Sequence, residues 1–300
     1  MKARVISGIV IAVLTIGLGI YGGVPLGAVL MVCAMIAYYE LTRALGVHEG
    51  AKERFNALEV TGEVITALYY VLLMYVSVTQ VELTTVGNYL IRGTDDAVPF
   101  IQSANSLAIV AIIAVFLVNM TIYVLTYPRF EMEQVLGSIF SFIYAPIMIS
   151  CIYRSEFLPY GIFVYALIFF CSWINDTCAY LAGRAFGKHK MTPKLSPNKT
   201  IEGAIGGILG SIVLCVAAAG VIEYMAPGAN VFFSFGVIGF FGSLVGIVGD
   251  LAASAIKRSR GIKDYGYSIP GHGGIMDRFD SVIFTAPAIY ILGMFFLAAQ

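Results

Sequence analysis

The C-terminal half of the sequence places acids and bases close together, next to long apolar runs. Asp250 lies seven and eight residues before Lys257 and Arg258, so on a helix the acid and both bases would share one face. Asp277 and Asp280 follow at a spacing of three residues. Carboxylates are the hard oxygen ligands that Mg²⁺ prefers, and Lys and Arg side chains bind phosphate oxygens. This pattern predicts a site for a metal-bridged phosphate group.

The segment that connects these acids carries further polar residues. It contains the run Pro270-Gly271-His272-Gly273-Gly274, whose glycines would let a ligand approach the backbone closely. The candidate residues of this segment are Ser254, Lys263, Asp264, His272, Gly273, Gly274 and Arg278. Zinc is not expected, because three scattered histidines and no Cys/His spacing do not match a zinc site.

A second candidate cluster lies at the end of an apolar run, around Asp176. A carboxylate within an otherwise apolar span is costly unless it is paired or ligated, so it indicates a functional site. Tyr180 would lie on the same helix face, and Asn175 precedes the acid. The alternative is a structural ion pair between Asp176 and Arg184 that closes the helix end.

A third cluster occupies residues 187–203, which contain four lysines and two prolines and lead directly into another apolar run. Free N–H groups at a helix N-terminus, next to Lys and Ser or Thr, suit phosphate binding. The candidate residues here are Ser196, Lys199, Thr200 and Glu202. The spacing does not match a Walker A loop. The alternative is that the lysines only mark the cytoplasmic side of the membrane.

The elements that must position these residues are predicted to be membrane helices. Apolar residues make up 59% of the chain and charged residues 12%, against about 45–50% and about 25% in soluble domains. An ordinary soluble enzyme is therefore excluded, and a net charge of zero indicates no nucleic-acid partner. An all-α polytopic membrane protein is expected, because a span needs about 20 mostly apolar residues. Nine runs meet this criterion: 4–22, 25–45, 60–80, 106–127, 134–153, 160–182, 203–224, 231–252 and 281–298.

The distribution of basic residues predicts the orientation of these spans. With the N-terminus inside, all but two of the 18 Lys and Arg residues fall on the inner side, the exceptions being Arg92 and Arg154. The positive-inside rule then gives an N-in, C-out topology. We divide the chain into an N-terminal transmembrane scaffold (1–105), middle transmembrane helices (106–171) and a catalytic region with inner-face polar loops (172–300). In the scaffold, Glu40, Arg43, His48 and Glu49 are interpreted as solvated helix ends.

The C-terminal pattern closely resembles the signature of a known enzyme family. The run from Ser254 through Lys257-Arg258, Lys263-Asp264 and Pro270-Gly-His272-Gly273-Gly274 to Asp277-Arg278-Phe-Asp280 is similar to that of the phosphatidate cytidylyltransferases, or CDP-diacylglycerol synthases. The segments 173–183 and 196–203 resemble the two upstream blocks of that family. The resemblance covers residues 172–281, whereas the N-terminal half matches only as apolar spans.

The resemblance implies a reaction, a metal and an assembly. CTP and phosphatidate would give CDP-diacylglycerol and pyrophosphate with Mg²⁺, and a second cation is left open. The active site would lie on the cytoplasmic face of a bacterial plasma or inner membrane, in a homodimer. Asp250 and Asp277 are the expected metal ligands, with Asp176 and Asp280 as alternatives.

The remaining site residues are assigned to the substrates. Bases clamp the phosphates: Lys199, Lys257, Arg258, Lys263 and Arg278. Asn175, Ser196 and Thr200 are expected to help hold the nucleotide.

Two other functions are compatible with parts of the pattern. A CTP-dependent lipid kinase would use the same groups but would transfer the γ-phosphoryl group to a lipid alcohol. A secondary transporter would place its acids near the middle of the membrane, within inverted repeats and broken helices. The sequence does not favour the transporter, since the acids cluster at one face and no convincing repeat is present, whereas product analysis is needed to separate the kinase from the cytidylyltransferase.

The predicted topology can be tested directly. A reporter fused to the C-terminus should be active on the outer side, because nine spans with an inner N-terminus end outside. The same reporter fused after residue 199 should be active in the cytoplasm and serves as the control. A C-terminal reporter that is active in the cytoplasm would show that a span was miscounted.

Overall fold

The computed structural model of the chain describes residues 2–48, 55–80, 94–268 and 273–297. Helices dominate the described part, as expected for apolar spans that must satisfy their backbone hydrogen bonds internally. The N-terminal elements are α1 (Lys2–Tyr21), α2 (Gly23–Ala44), α3 (Ala57–Gln80), α4 (Thr94–Leu125), α5 (Met132–Phe142), a π-helical turn π1 (Ile143–Ile147) and α6 (Met148–Ser155). The C-terminal elements are α7 (Gly161–Phe169), a second π-helical turn π2 (Phe170–Ile174), α8 (Asn175–Phe186), β1 (Lys190–Thr192), β2 (Ser196–Thr200), α9 (Ile201–Met225), α10 (Phe232–Ser259) and α11 (Val282–Phe296).

The helices confirm an all-α polytopic membrane protein. Among the described residues, seven helices or continuous helical runs are long and apolar enough to cross a membrane. Two further apolar helices, Val10–Tyr21 within α1 and Val282–Phe296, are shorter. Each of the nine predicted spans coincides with one of these nine helical stretches, but the total of nine crossings and the N-in, C-out orientation stay predictions. The hairpin of β1 and β2 was not anticipated.

The chain divides into two compact units that alternate along the sequence. Unit 1 comprises Met1–Leu83, Pro99–Tyr153 and Arg260–Arg278, whereas unit 2 comprises Thr84–Val98, Arg154–Ser259 and Phe279–Gln300. The C-terminal signature segment 260–278 therefore belongs to the same unit as the N-terminal helices. The predicted division into 1–105, 106–171 and 172–300 follows chain order and stays a prediction.

Tyrosine hydroxyls link the helices of unit 1 to one another. The hydroxyl of the fully buried Tyr38 lies 2.8 Å from the Ser138 hydroxyl and donates to the Leu58 carbonyl oxygen at 3.2 Å. The Tyr153 hydroxyl lies 2.6 Å from that of Ser77 in the same way. A buried hydroxyl without a partner is costly, so these pairs fix which helix faces meet.

The helix-end residues that the sequence suggested to be solvated are more buried than expected. Glu59 is 1% exposed and its carboxylate lies 3.2 Å from Arg43 Nε and 2.8 Å from His48 Nδ1. Glu40 is only 3% exposed, so its interpretation as a solvated helix end is wrong. Its partners lie more than 220 positions along the chain, which a local reading could not detect. Glu49 lies outside the described residues.

Glycines allow close helix contacts in unit 2. Along α10, Gly239, Gly242, Gly246 and Gly249 face neighbouring elements at spacings of three and four residues. A Cβ atom on Gly246 would lie 2.8 Å from the Cys171 carbonyl oxygen in π2 and 2.8 Å from Thr285 Cγ2 in α11. Small residues at this spacing let membrane helices approach closely and gain packing contacts.

This packing predicts that Gly246→Ala destabilises the protein by about 1–3 kcal/mol, because the added methyl group overpacks the contact. Gly17→Ala in α1 is the matched control, since its Cβ would meet no atom within 4 Å. Thermal unfolding in one detergent measures both. Equal midpoints for wild type and Gly246→Ala would show that α10 can shift without cost.

Candidate functional site

The first part of the candidate site is built where π2 passes into α8. π-helical turns change the register of a helix and are frequent at functional sites. Asn175 begins α8 and is 1% exposed, and its side-chain amide has no hydrogen-bond partner among the described residues. Asp176 is exposed, and it makes no ion pair with Arg184 within the described chain. The alternative of a structural Asp176–Arg184 pair is therefore not supported.

The second part is the antiparallel hairpin of β1 and β2, in which Lys190 pairs with Thr200 and Thr192 with Ser196. Thr200 ends β2 and caps α9, because its hydroxyl oxygen accepts the N–H of Gly203 at 3.1 Å. Lys190 and Lys199 are thus fixed by strand geometry and not by a free loop.

Glu202 joins the hairpin to the first turn of α9. Its carboxylate accepts the N–H of Lys188 at 3.1 Å and that of His189 at 3.2 Å, and lies 2.6 Å from His189 Nδ1. Negative charge is favourable in the first turn of a helix. The sequence prediction that Glu202 binds nucleotide stays untested, and the contacts give the side chain a role in holding the hairpin.

An ion pair between Lys199 and Asp250 connects the hairpin to α10. Both side chains are partly exposed, at 27% for Lys199 and 21% for Asp250. The partner of Asp250 is Lys199, 51 positions earlier in the chain, and not one of the bases Lys257 and Arg258 that share its helix face by sequence spacing. Because the pair is accessible, a phosphate could bind Lys199 and a cation could bind Asp250.

These elements enclose a cavity of about 580 Å³ within unit 2. Five of the predicted site residues line it: Asp176, Tyr180, Lys199, Thr200 and Asp250. Further lining residues with polar side chains were not predicted: Arg184, Lys190 and Asn198. The volume lies within the range of small-molecule sites. Arg184 lies on the same helix face as Asp176 and Tyr180, but the sequence suggested it only as an ion-pair partner of Asp176. Lys190 lies in the lysine-rich stretch 187–203, but it was not among the residues selected there.

Asp280 lies near these acids at the start of α11. Burial raises its pKa to about 7, and the negative charge of Asp250 acts in the same direction. Lys257 opposes this shift, which places its ammonium group within electrostatic range of Asp280. The next residue, Ser281, shares a 2.7 Å hydrogen bond with Ser172 in π2. The negative charges of Asp250 and Asp176 thus both raise the pKa of the Asp280 carboxyl.

The predicted residues of the signature segment lie in unit 1. Asp277 is 6% exposed, and its Oδ2 accepts the N–H groups of Tyr265 at 2.8 Å and of Gly274 at 3.1 Å. Gly273 has a φ of +88° beside this carboxylate, a conformation that favours glycine. These contacts fold the segment around Asp277.

The other predicted residues are placed as follows. Lys263 is exposed, Asp264 is partly buried, and Arg278 is partly buried with an Nε that has no hydrogen-bond partner among the described residues. Ser254 and Arg258 lie in the last turns of α10, and Ser196 begins β2. His272 lies outside the described residues. Asp250 and Asp277 belong to different units, so their joint metal site stays a prediction.

The donor chemistry fits Mg²⁺, although no three His, Cys, Asp or Glu side chains in the described part of the chain form a ready ligand group. Mg²⁺ keeps several waters and is commonly held by one or two carboxylates together with substrate phosphates. Asp250 with Asp176 or Asp280 supplies such oxygens. The Lys199 ammonium on Asp250 shows that this carboxylate accepts a cation.

Comparison with known proteins decides the family. The model of the "Cytidylyltransferase family" matches residues 2–296. The chain belongs to this family. It is therefore a nucleotidyltransferase enzyme embedded in a membrane.

Relatives of this cytidylyltransferase support the same assignment. A protein of Staphylococcus haemolyticus named phosphatidate cytidylyltransferase is 30% identical over 294 residues, which cover 97% of this chain and 98% of the relative. A protein of Staphylococcus aureus with the same name is 37% identical over 212 residues, or 70% of this chain and 77% of the relative. The match thus includes the N-terminal half as well as the signature segment.

The cavity predicts which hairpin lysine matters for nucleotide binding. Lys190→Gln should weaken CTP binding by about three- to tenfold, because one partly screened charge is removed from the cavity wall. Lys194→Gln removes the same charge from the same hairpin, and Lys194 is exposed like Lys190 but does not line the cavity. Equilibrium dialysis with labelled CTP measures both. Equal affinities of the two variants would exclude Lys190 from the binding site.

Proposed function

We propose that the chain is a phosphatidate cytidylyltransferase, which converts CTP and phosphatidate to CDP-diacylglycerol and pyrophosphate. The family match over residues 2–296 and the printed names of the relatives support the reaction. The observation that carries the proposal to this chain is the cavity in unit 2, where Asp176 and Asp250 face the bases Arg184, Lys190 and Lys199.

The chemistry requires three negative groups to meet. A phosphate oxygen of phosphatidate attacks the α-phosphorus of CTP in line, the bond to the β-phosphate oxygen breaks, and pyrophosphate leaves with the electron pair. Catalysis of such a transfer depends mainly on positioning and on neutralisation of charge. The phosphate of phosphatidate is itself the nucleophile, so no side-chain nucleophile is needed. Arg184, Lys190 and Lys199 can bind phosphate oxygens in the cavity.

Mg²⁺ is part of the proposal. Asp250 and Asp277 would hold it, with Asp176 and Asp280 as further candidates. When bound, it would neutralise phosphate charge and polarise the phosphorus–oxygen bonds. Lys199 is ion-paired with Asp250 within α10, so that the charge of this carboxylate is compensated.

The location and assembly follow from the sequence pattern and the family resemblance. The concentration of basic residues on one predicted side supports an active site at the cytoplasmic face. The acyl chains of phosphatidate would remain in the bilayer while its phosphate enters the cavity. The homodimer is proposed on the resemblance alone, and mass determination of the protein in lipid nanodiscs tests it.

Product analysis tests the reaction. The full-length protein in detergent is mixed with phosphatidate, Mg²⁺ and CTP labelled either in the cytosine ring or at the γ-phosphate. The proposal predicts that the ring label enters lipid and the γ-label appears in pyrophosphate. A CTP-dependent lipid kinase would instead transfer the γ-label to a lipid alcohol such as diacylglycerol. Activity that EDTA leaves unchanged would contradict the metal requirement.

The role of Asp250 gives a sharper prediction. Asp250→Asn keeps the shape of the side chain but removes the charge that a hard cation requires, so we expect turnover to fall by about 100-fold or more. Glu133→Gln in α5 is the control, because Glu133 is exposed and outside the cavity. Thermal unfolding verifies that both variants are folded. A folded Asp250→Asn protein with wild-type turnover and Mg²⁺ response would exclude Asp250 as a ligand.

A further inference from the structure

Glu40 of α2 contacts the signature segment 260–278 of unit 1 at three points. Its Oε1 accepts the Ser268 hydroxyl at 2.5 Å and the N–H of Ile275 at 3.2 Å. Its Oε2 accepts the N–H of Met276 at 2.9 Å. One buried carboxylate thus binds the chain on both sides of residues 269–272.

Two glycines of the segment pack directly against the same carboxylate. A Cβ atom on Gly266 or on Gly274 would collide with Glu40. Absent side chains at these two positions therefore allow the backbone to close around the glutamate. The glutamate and the segment are therefore complementary in shape as well as in hydrogen bonding.

The donors that face Glu40 explain why a glutamate is needed. A buried carboxylate is stable only when its oxygens are hydrogen-bonded, and bonds to a charged acceptor are roughly twice as strong as neutral ones. All three donors come from one segment of the chain. The energy that stabilises Glu40 is therefore available only when this segment is folded onto α2.

The same turn carries the predicted catalytic residues. Asp277 follows Met276 directly, and its own Oδ2 binds the N–H groups of Tyr265 and Gly274. Glu40 and Asp277 therefore hold the turn from two sides, so displacement of the Glu40 contacts would also move the Asp277 carboxylate.

We propose that Glu40 is a positioning residue, which holds the signature segment so that Asp277 and Arg278 are oriented for cytidylyl transfer. This role rests on the proposed function. It gives the N-terminal half of the chain a direct part in the reaction through α2, beyond that of a membrane scaffold.

Glu40→Gln tests the proposal in the full-length protein. The amide keeps the shape and one acceptor oxygen, but its other end is a donor that would face an N–H or O–H donor. We expect hydrogen exchange of the peptide containing Ile275 and Met276 to rise at least about tenfold, because a charge-assisted bond is lost. Turnover per folded molecule should fall at least about tenfold, with KM for CTP within about threefold, because orientation acts on the transition state.

Glu63→Gln is the matched control. Glu63 is a partly buried glutamate of the same unit, on α3, and it makes none of the contacts described for Glu40. It should leave exchange of the 273–278 peptide and turnover within about twofold of wild type, because substitutions at sites that share no partner act nearly independently. An equal loss of turnover in both variants would show that Glu40 only stabilises the fold, and would overturn the proposal. Unchanged hydrogen exchange in Glu40→Gln would overturn it as well.

Ser268→Ala decides the question if Glu40→Gln does not fold. It removes one of the three donors, and we expect it to raise exchange of the same peptide by about three- to tenfold and to lower turnover in parallel. Wild-type exchange and turnover in Ser268→Ala would contradict the proposal. A wild-type protein that shows no cytidylyl transfer would refute the proposed function. The exchange measurement needs no substrate, so it would still decide whether Glu40 holds the segment.

Discussion

A carboxylate at the end of an apolar helix must find a cation or hydrogen-bond donors, because a bare buried charge costs several kcal/mol. The chain meets this constraint in two ways. Glu40 and Asp277 are held by neutral donors of one local turn, whereas Asp250 is paired with the Lys199 ammonium in the wall of a cavity. The second arrangement is open to exchange at an ion pair, since a phosphate can replace the acid beside Lys199 and a cation can replace the base beside Asp250.

The close helix packing of unit 2 is what brings these exchangeable groups together. Gly203 lies in the first turn of α9, and a Cβ atom there would be 2.7 Å from the Ala179 carbonyl oxygen of α8. The small residue lets α8 and α9 approach, so that Asp176 and Thr200 face the same cavity. In this way a feature of membrane-helix packing also sets the width of the candidate site.

The sequence predicted the parts of the structure that depend on local pattern. The apolar runs predicted the helices because the bilayer enforces span length. The cost of an acid in an apolar run made Asp176 a candidate site residue, and the spacing of Asp250 to Lys257 and Arg258 made Asp250 another. Contacts between backbone groups and distant side chains leave no such pattern. Glu40 was misinterpreted for this reason, because two of its three partners are backbone N–H groups more than 230 positions away. The β1–β2 hairpin was missed because its strands are only three and five residues long.

Three glutamates of the chain each bind a neighbouring or distant segment through its backbone N–H groups. Glu40, Glu202 and Glu223 each accept two backbone N–H groups from a segment outside their own helix, which is distant for Glu40, precedes the helix for Glu202 and follows it for Glu223. The loop held by Glu223, residues 226–230, contains no charged residue. The segment held by Glu40 contains Lys263, and Glu202 holds the residues directly before β1, which carries Lys190. A buried or helix-end glutamate therefore orders a loop in each case, and the bases that the loop carries determine whether the ordered loop can bind a phosphate.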